Sequence, residues 1–193
     1  MVAFAGVRQK LGGLKYEFHR SLEQLDCAAL FVRDPQCRWY QYDDASVSAV
    51  VDQIQAAREQ AGASRLVCIG NSMGGFGALY FGARLDADAI LAFAAQTAID
   101  PAVARGLGDD RWAEYQAAIA TYPFGDLAEQ TPARGRTILC WGDRDRADLA
   151  HADWLAKSWS FERLAVPDAR HDAAARLRDD NRLLPLLQDV IGG

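Results

Sequence analysis

Gly70-Asn71-Ser72-Met73-Gly74 sets one hydroxyl between two glycines. The four residues before it, Leu66-Val67-Cys68-Ile69, form an apolar run of strand length. After it, Ala78, Leu79, Tyr80 and Phe81 read as a helix packed on a sheet. A serine at the apex of such a strand-to-helix turn is held exposed, and its flanking glycines stand where a Cβ would meet neighbouring backbone. The chemistry this permits is nucleophilic attack; the competing structural reading is a plain tight turn. Gly75 and Gly77 each cost the helix about 1 kcal/mol relative to alanine. Close approach of that helix to the strands is the natural compensation.

A serine hydroxyl is a weak nucleophile until a base takes its proton. Of the three histidines, His19 falls in an early helix pattern and His151 starts a helix after the fifth apolar strand. Both read most simply as solvated helix-surface residues. His171 follows the last strand, in Pro167-Asp168-Ala169-Arg170-His171-Asp172, and is the expected base. A carboxylate must then hold its tautomer and stabilise the imidazolium. Trp141-Gly142-Asp143-Arg144-Asp145-Arg146 brings carboxylates just past the fifth strand, with Asp148 a little further on. All three aspartates are candidates on this reading. The two not chosen would form a solvated acidic turn with Arg144 and Arg146.

The elements that must position these groups follow from hydrophobic patterning. Five largely apolar runs read as strands, over 2–5, 28–32, 66–69, 89–93 and 137–141, and 161–166 reads as a sixth. Phe18, Leu22 and Leu25 predict a helix over 16–25. A second helix starts with Asp44 or Ser46 as cap, carries Val47, Val50, Val51, Ile54 and Ala61 on one face, and ends at Gly62. Others are expected from the turn serine to about residue 85, around Trp112, Tyr115 and Ile119, over 149–159, and over 181–191, with Pro185 tolerable only near the start. Strands that are almost continuously apolar and alternate with helices indicate a parallel sheet covered on both faces. Right-handed crossovers then place ligands at the carboxyl ends of the strands. The loops at Gly6, Ser72 and Gly142 and the loop after Val166 all fall on that one edge.

Composition narrows the class. The chain has 193 residues, half of them apolar, and a net charge of −5. That charge gives no basic footprint for nucleic acid or an anionic membrane. No apolar run approaches the ~20 residues of a membrane span. The first residues lack a signal peptide's charged start and apolar core, so a cytoplasmic protein is expected. Cys27, Cys37, Cys68 and Cys140 show no C-x-x-C pair and no zinc-like spacing. Reduced thiols and no metal are expected, with Cys68 and Cys140 serving as small buried hydrophobes.

Ser72, an aspartate and His171 also follow the chain order of nucleophile-elbow enzymes. Through Gly70-Asn71-Ser72-Met73-Gly74, Trp141-Gly142-Asp143-Arg144-Asp145 and His171 the sequence resembles the α/β-hydrolase superfamily, over essentially its whole length. The resemblance implies one domain over 1–193, a three-layer α/β/α fold around a mostly parallel six-stranded sheet of order 2-1-3-4-5-6. The fold is reduced, because two strands that usually precede the first one are absent. Residues 96–134 stand where relatives insert a cap, and Trp112, Tyr115, Tyr122 and Phe124 would line a pocket there or anchor the cap. In the superfamily the acid usually ends a G-x-x-D stretch, which selects Asp145 over Asp143, with Asp148 a remote third. The oxyanion donors implied are the backbone N–H groups of Met73 and Val7; Gly6 matches the family's glycine, while Ala5 replaces a frequent histidine. Arg8, Lys10, Arg144 and Arg146 flank the site, as solvated charge or as a seat for an anionic group.

The activity implied is that of a serine hydrolase, without cofactor or metal, cleaving a small-molecule carboxylic ester or thioester through an acyl-enzyme. An acyltransferase would use the same residues. A catalytically silent partner protein is the alternative from another class.

Overall fold

The computed structural model describes residues 1–7 and 16–192. Its strands are β1 (Val2–Phe4), β2 (Leu30–Val32), β3 (Val67–Asn71), β4 (Ala89–Phe93), β5 (Arg136–Gly142) and β6 (Glu162–Val166). They form one sheet in the order β2-β1-β3-β4-β5-β6, with every neighbouring pair parallel, as expected. The helices are α1 (His19–Leu22), α2 (Asp44–Gln60), α3 (Met73–Arg84), α4 (Pro101–Ala104), α5 (Ala113–Gln116), α6 (Arg146–Leu155), α7 (Ala173–Asp179) and α8 (Leu183–Gly192).

The continuous apolar strands feed two cores, one on each face. Successive residues of a strand point to opposite sides. So Cys68, Ile90 and Ala92 pack with Val47 and Ile54 of α2, Phe76 and Leu79 of α3, and Leu155 of α6. Ile69, Leu91 and Phe93 pack the other way, with Leu22 of α1, Leu177 of α7, and Leu187 and Val190 of α8. Burial removes any thiolate character from Cys68, whose thiol is pushed up to about 12 chiefly by desolvation, against a small opposing pull from the N-terminal ammonium.

Register levels the strand ends that matter. Phe4 of β1 pairs with Gly70, Asn71 with Phe93, Phe93 with Cys140, and Gly142 with Val166. The segments leaving β1, β3, β5 and β6 therefore emerge along a single rim.

Several element boundaries differ from the sequence reading. The cap of α2 is Asp43, whose carboxylate accepts from Ser46 N at 2.7 Å. The early helix shrinks to a single turn entered through Phe18 in a left-handed conformation (φ 63°). α7 has no counterpart in the sequence reading: only Ala173 and Leu177 of its residues are buried, too few to stand out as a periodic face. α6 begins at Arg146, three residues early, because Asp145 caps it. Arg8 and Lys10 lie outside the described residues. Among the described residues no helix is long and apolar enough to cross a membrane.

Candidate active site

The turn between β3 and α3 holds Ser72 at φ 57° and ψ −120°, a strained backbone for any residue with a side chain. Two backbone bonds clamp it, Ser72 N to Phe93 O at 2.8 Å and Phe76 N to Ser72 O at 3.1 Å. A Cβ on Gly70 would overlap the Gly74 carbonyl, and one on Gly74 would overlap the Phe4 carbonyl. The glycines thus let α3 start directly against the end of β3 and against β1. Gly70→Ala forces backbone apart and should cost about 3 kcal/mol in a denaturant titration. Retained stability in that variant would show that the turn relaxes freely.

His171 reaches this turn from the loop after β6. That loop is tied to the one after β5, with Asp143 N donating to Val166 O at 3.1 Å and Arg144 N to Ala169 O at 3.0 Å. The imidazole Nε2 lies 2.9 Å from Ser72 Oγ. Its Nδ1 lies 2.9 and 3.2 Å from the two carboxylate oxygens of Asp148. The carboxylate that meets the ring is therefore Asp148, and its side chain is fully buried.

Asp145 is engaged elsewhere. One oxygen caps α6 by accepting from Asp148 N at 3.0 Å, and the other faces Arg111 Nη1 at 3.3 Å. Because Asp145 ends the turn and starts the helix, the carboxylate one turn further along is the one aimed at the ring. Asp143 is exposed.

Arg111 and Asp109 carry no motif, and sequence reasoning passed over them. The guanidinium donates to Asp109 through Nε and Nη2, both at 2.8 Å, and to Asp148 through Nη2 at 2.8 Å. Asp109 is nearly completely buried and also meets His151 Nε2 at 3.1 Å and Gln96 Nε2 at 3.0 Å. Gln96 in turn accepts from Trp39 Nε1 at 3.1 Å. His151 is thus wholly buried in this network, which corrects the reading of it as a surface residue. His19 is half-buried and pairs with Glu23 at 3.4 Å.

Burial alone would raise the Asp109 carboxyl, but hydrogen bonds from His151 and Arg111 outweigh it and hold the group well below the usual carboxylate range. Arg111, although desolvated, is held above its ordinary value by Asp109 and Asp148. The folded Asp109 is therefore a stronger acid than the same residue in an unfolded chain. Its contribution to stability is complete above about pH 4 and drains as pH falls below that. Melting temperatures between about pH 2 and 5 should fall more steeply in the native protein than in Asp109→Asn. Parallel curves would remove this carboxylate as a source of acid sensitivity.

Asp145, Asp148 and His171 offer ligand atoms within 4.8 Å of one another, the spacing of a cation site. The Arg111 guanidinium touches all three and supplies the positive charge there.

Beside Ser72 opens a cavity of about 990 Å³, bordered by Gly6, Val7, Phe18, Trp112, His171 and Leu183. Val7, three residues past β1, is buried, and Gly6 N donates to Glu17 Oε2 at 3.1 Å. Met73 is the first residue of α3, where backbone N–H groups lack intrahelical partners. Of the aromatics between β4 and β5, Trp112 borders the cavity, whereas Phe124 is buried and stacks on Tyr80 with centroids 3.9 Å apart.

A family model described as alpha/beta hydrolase fold matches residues 20–135. The chain belongs to that family. Solved structures agree in architecture. A chain of the Glycosylation Associate Protein (Gap123) complex from Streptococcus agalactiae superposes with a TM-score of 0.71 at 18% identity. The match covers 100% of this chain but only 41% of that one. Carboxyl esterase 2 from Tuber melanosporum gives a TM-score of 0.68 at 12% identity over 98% of this chain and 77% of its own. The capsule O-acetyltransferase of Neisseria meningitidis serogroup A gives 0.67 at 14% identity over 95% and 86%. At such identities the likeness is one of fold. No curated protein matches the chain in sequence.

Proposed function

We propose that this α/β-hydrolase-fold protein is a serine hydrolase that cleaves a small carboxylic ester or thioester through an acyl-enzyme. The observation that carries the reading is the unbroken run of contacts Ser72 Oγ–His171 Nε2 and His171 Nδ1–Asp148, joining three side chains far apart in sequence. Ser72 attacks the acyl carbon while His171 takes the hydroxyl proton. The same proton then goes to the leaving group. Asp148, in place of Asp145, orients the ring and stabilises the imidazolium. The N–H groups of Met73 and Val7 hold the developing oxyanion. Water, activated by the neutral imidazole, releases the acid.

The cavity is at the upper end of small-molecule sites and has room for an acceptor beside the acyl group. The likeness to an O-acetyltransferase makes transfer to an alcohol the second reading, on the same acyl-enzyme. The experiment is a panel of short acyl esters and thioesters with the products scored in water and in the presence of sugar alcohols. Free acid as the main product supports hydrolysis, and acylated alcohol shifts the reading to transfer. Failure of a fluorophosphonate to label Ser72 in folded protein would instead favour a silent partner protein.

A further inference from the structure

Arg111 makes a contact that the run from Ser72 to Asp148 does not require. Its Nη1 lies 2.6 Å from His171 Nδ1, the atom that Asp148 approaches at 2.9 Å. A neutral imidazole nitrogen carries either a proton or a lone pair. With the proton on Nδ1, the ring donates to Asp148, and Nε2 is left to accept from Ser72. With a lone pair on Nδ1, the ring accepts from Arg111, and the proton sits on Nε2. Nε2 then donates to Ser72 Oγ and takes nothing from the hydroxyl. The two hydrogen bonds at Nδ1 exclude each other.

Both arrangements leave the buried carboxylate satisfied, since Arg111 Nη2 donates to Asp148 Oδ1 at 2.8 Å in either case. The rest of the guanidinium is pinned on Asp109. Nη1 alone is divided, between Nδ1 of His171 and Oδ2 of Asp145 at 3.3 Å.

We infer that Arg111 is a positioning residue that competes with Asp148 for Nδ1 of His171, and that Asp145 draws Nη1 off the ring. Arg111 thereby sets the share of the protein whose imidazole is ready to accept the serine proton. This rests on the Ser72–His171–Asp148 reading given above. It also gives Asp145 a task without contact to the ring. The rate of any step begun by Ser72 scales with the competent share.

Arg111→Lys keeps a positive charge near Asp109 and Asp148 but replaces the planar fork with a compact point donor. The test combines ¹⁵N spectra of the histidine rings, assigned with His171→Ala, and the rate of fluorophosphonate capture at Ser72. The native protein should show a resolved Nε2–H population of His171. Arg111→Lys should convert it to Nδ1–H and speed capture up to about tenfold, the gain expected if one ring in ten was competent before. Asp145→Asn should enlarge the Nε2–H population and slow capture about threefold. A native ring wholly in the Nδ1–H form, unchanged in both variants, overturns the inference. If Arg111→Lys does not fold, the native and Asp145→Asn spectra decide it alone. If the native protein is never captured, the hydrolase reading falls, while the ring spectra still decide the competition.

Discussion

Asp148→Asn should lower kcat on a short acyl ester about 10⁴-fold, and Asp145→Asn less than about tenfold. The larger figure is what an acid-to-amide change costs when the geometry stays intact but the imidazole takes the wrong tautomer. Asp148 is buried and accepts from both His171 and Arg111, so its amide would present a donor toward a ring nitrogen that must itself donate. Among the described residues, the Asp145 side chain reaches the α6 backbone and Arg111. Equal losses in the two variants, or a larger loss at Asp145, would return the acid to the position that the G-x-x-D pattern favours. Matched melting curves are needed, because Asp145 also supports a helix end worth about 1 kcal/mol.

Ser72→Ala should remove about 10⁶-fold in kcat, leaving only what binding and the oxyanion donors supply. Residues that act as one unit are not additive. The double variant Ser72→Ala/Asp148→Asn is therefore expected to be no worse than Ser72→Ala alone. Measured on purified folded protein, a Ser72→Ala activity within about tenfold of native would exclude covalent catalysis at this serine. A double variant far below the single one would mean that Asp148 works through some route other than Ser72.

The inner strands were the most legible part of the chain, because strands buried on both faces write themselves as almost uninterrupted apolar runs. The run Ala89–Phe93 coincides with β4. The glycines around Ser72 were legible for a related reason, since close backbone approach excludes every other residue there. The position of His171 after β6 followed from strand order alone. What escaped was polar. A helix cap at Asp145 moves the reading frame of α6 by three residues, and that shift decides which carboxylate faces the ring. Asp109 and Arg111 had no periodicity or spacing to mark them. Their meaning lies in contacts with residues 34 to 60 positions away, which no local pattern encodes.

The segment between β4 and β5 is thus more than a connector. Through Arg111 it supplies the counter-ion for two acidic side chains that belong to a different crossover, and through Asp109 it anchors that counter-ion in the interior. Grafting a foreign connection between those two strands would preserve the sheet and the serine turn yet strand Asp145 and Asp148 beside each other with their compensating charge gone. A swap that looks modular on a topology diagram would therefore remove the charge that this pair of carboxylates is built to face.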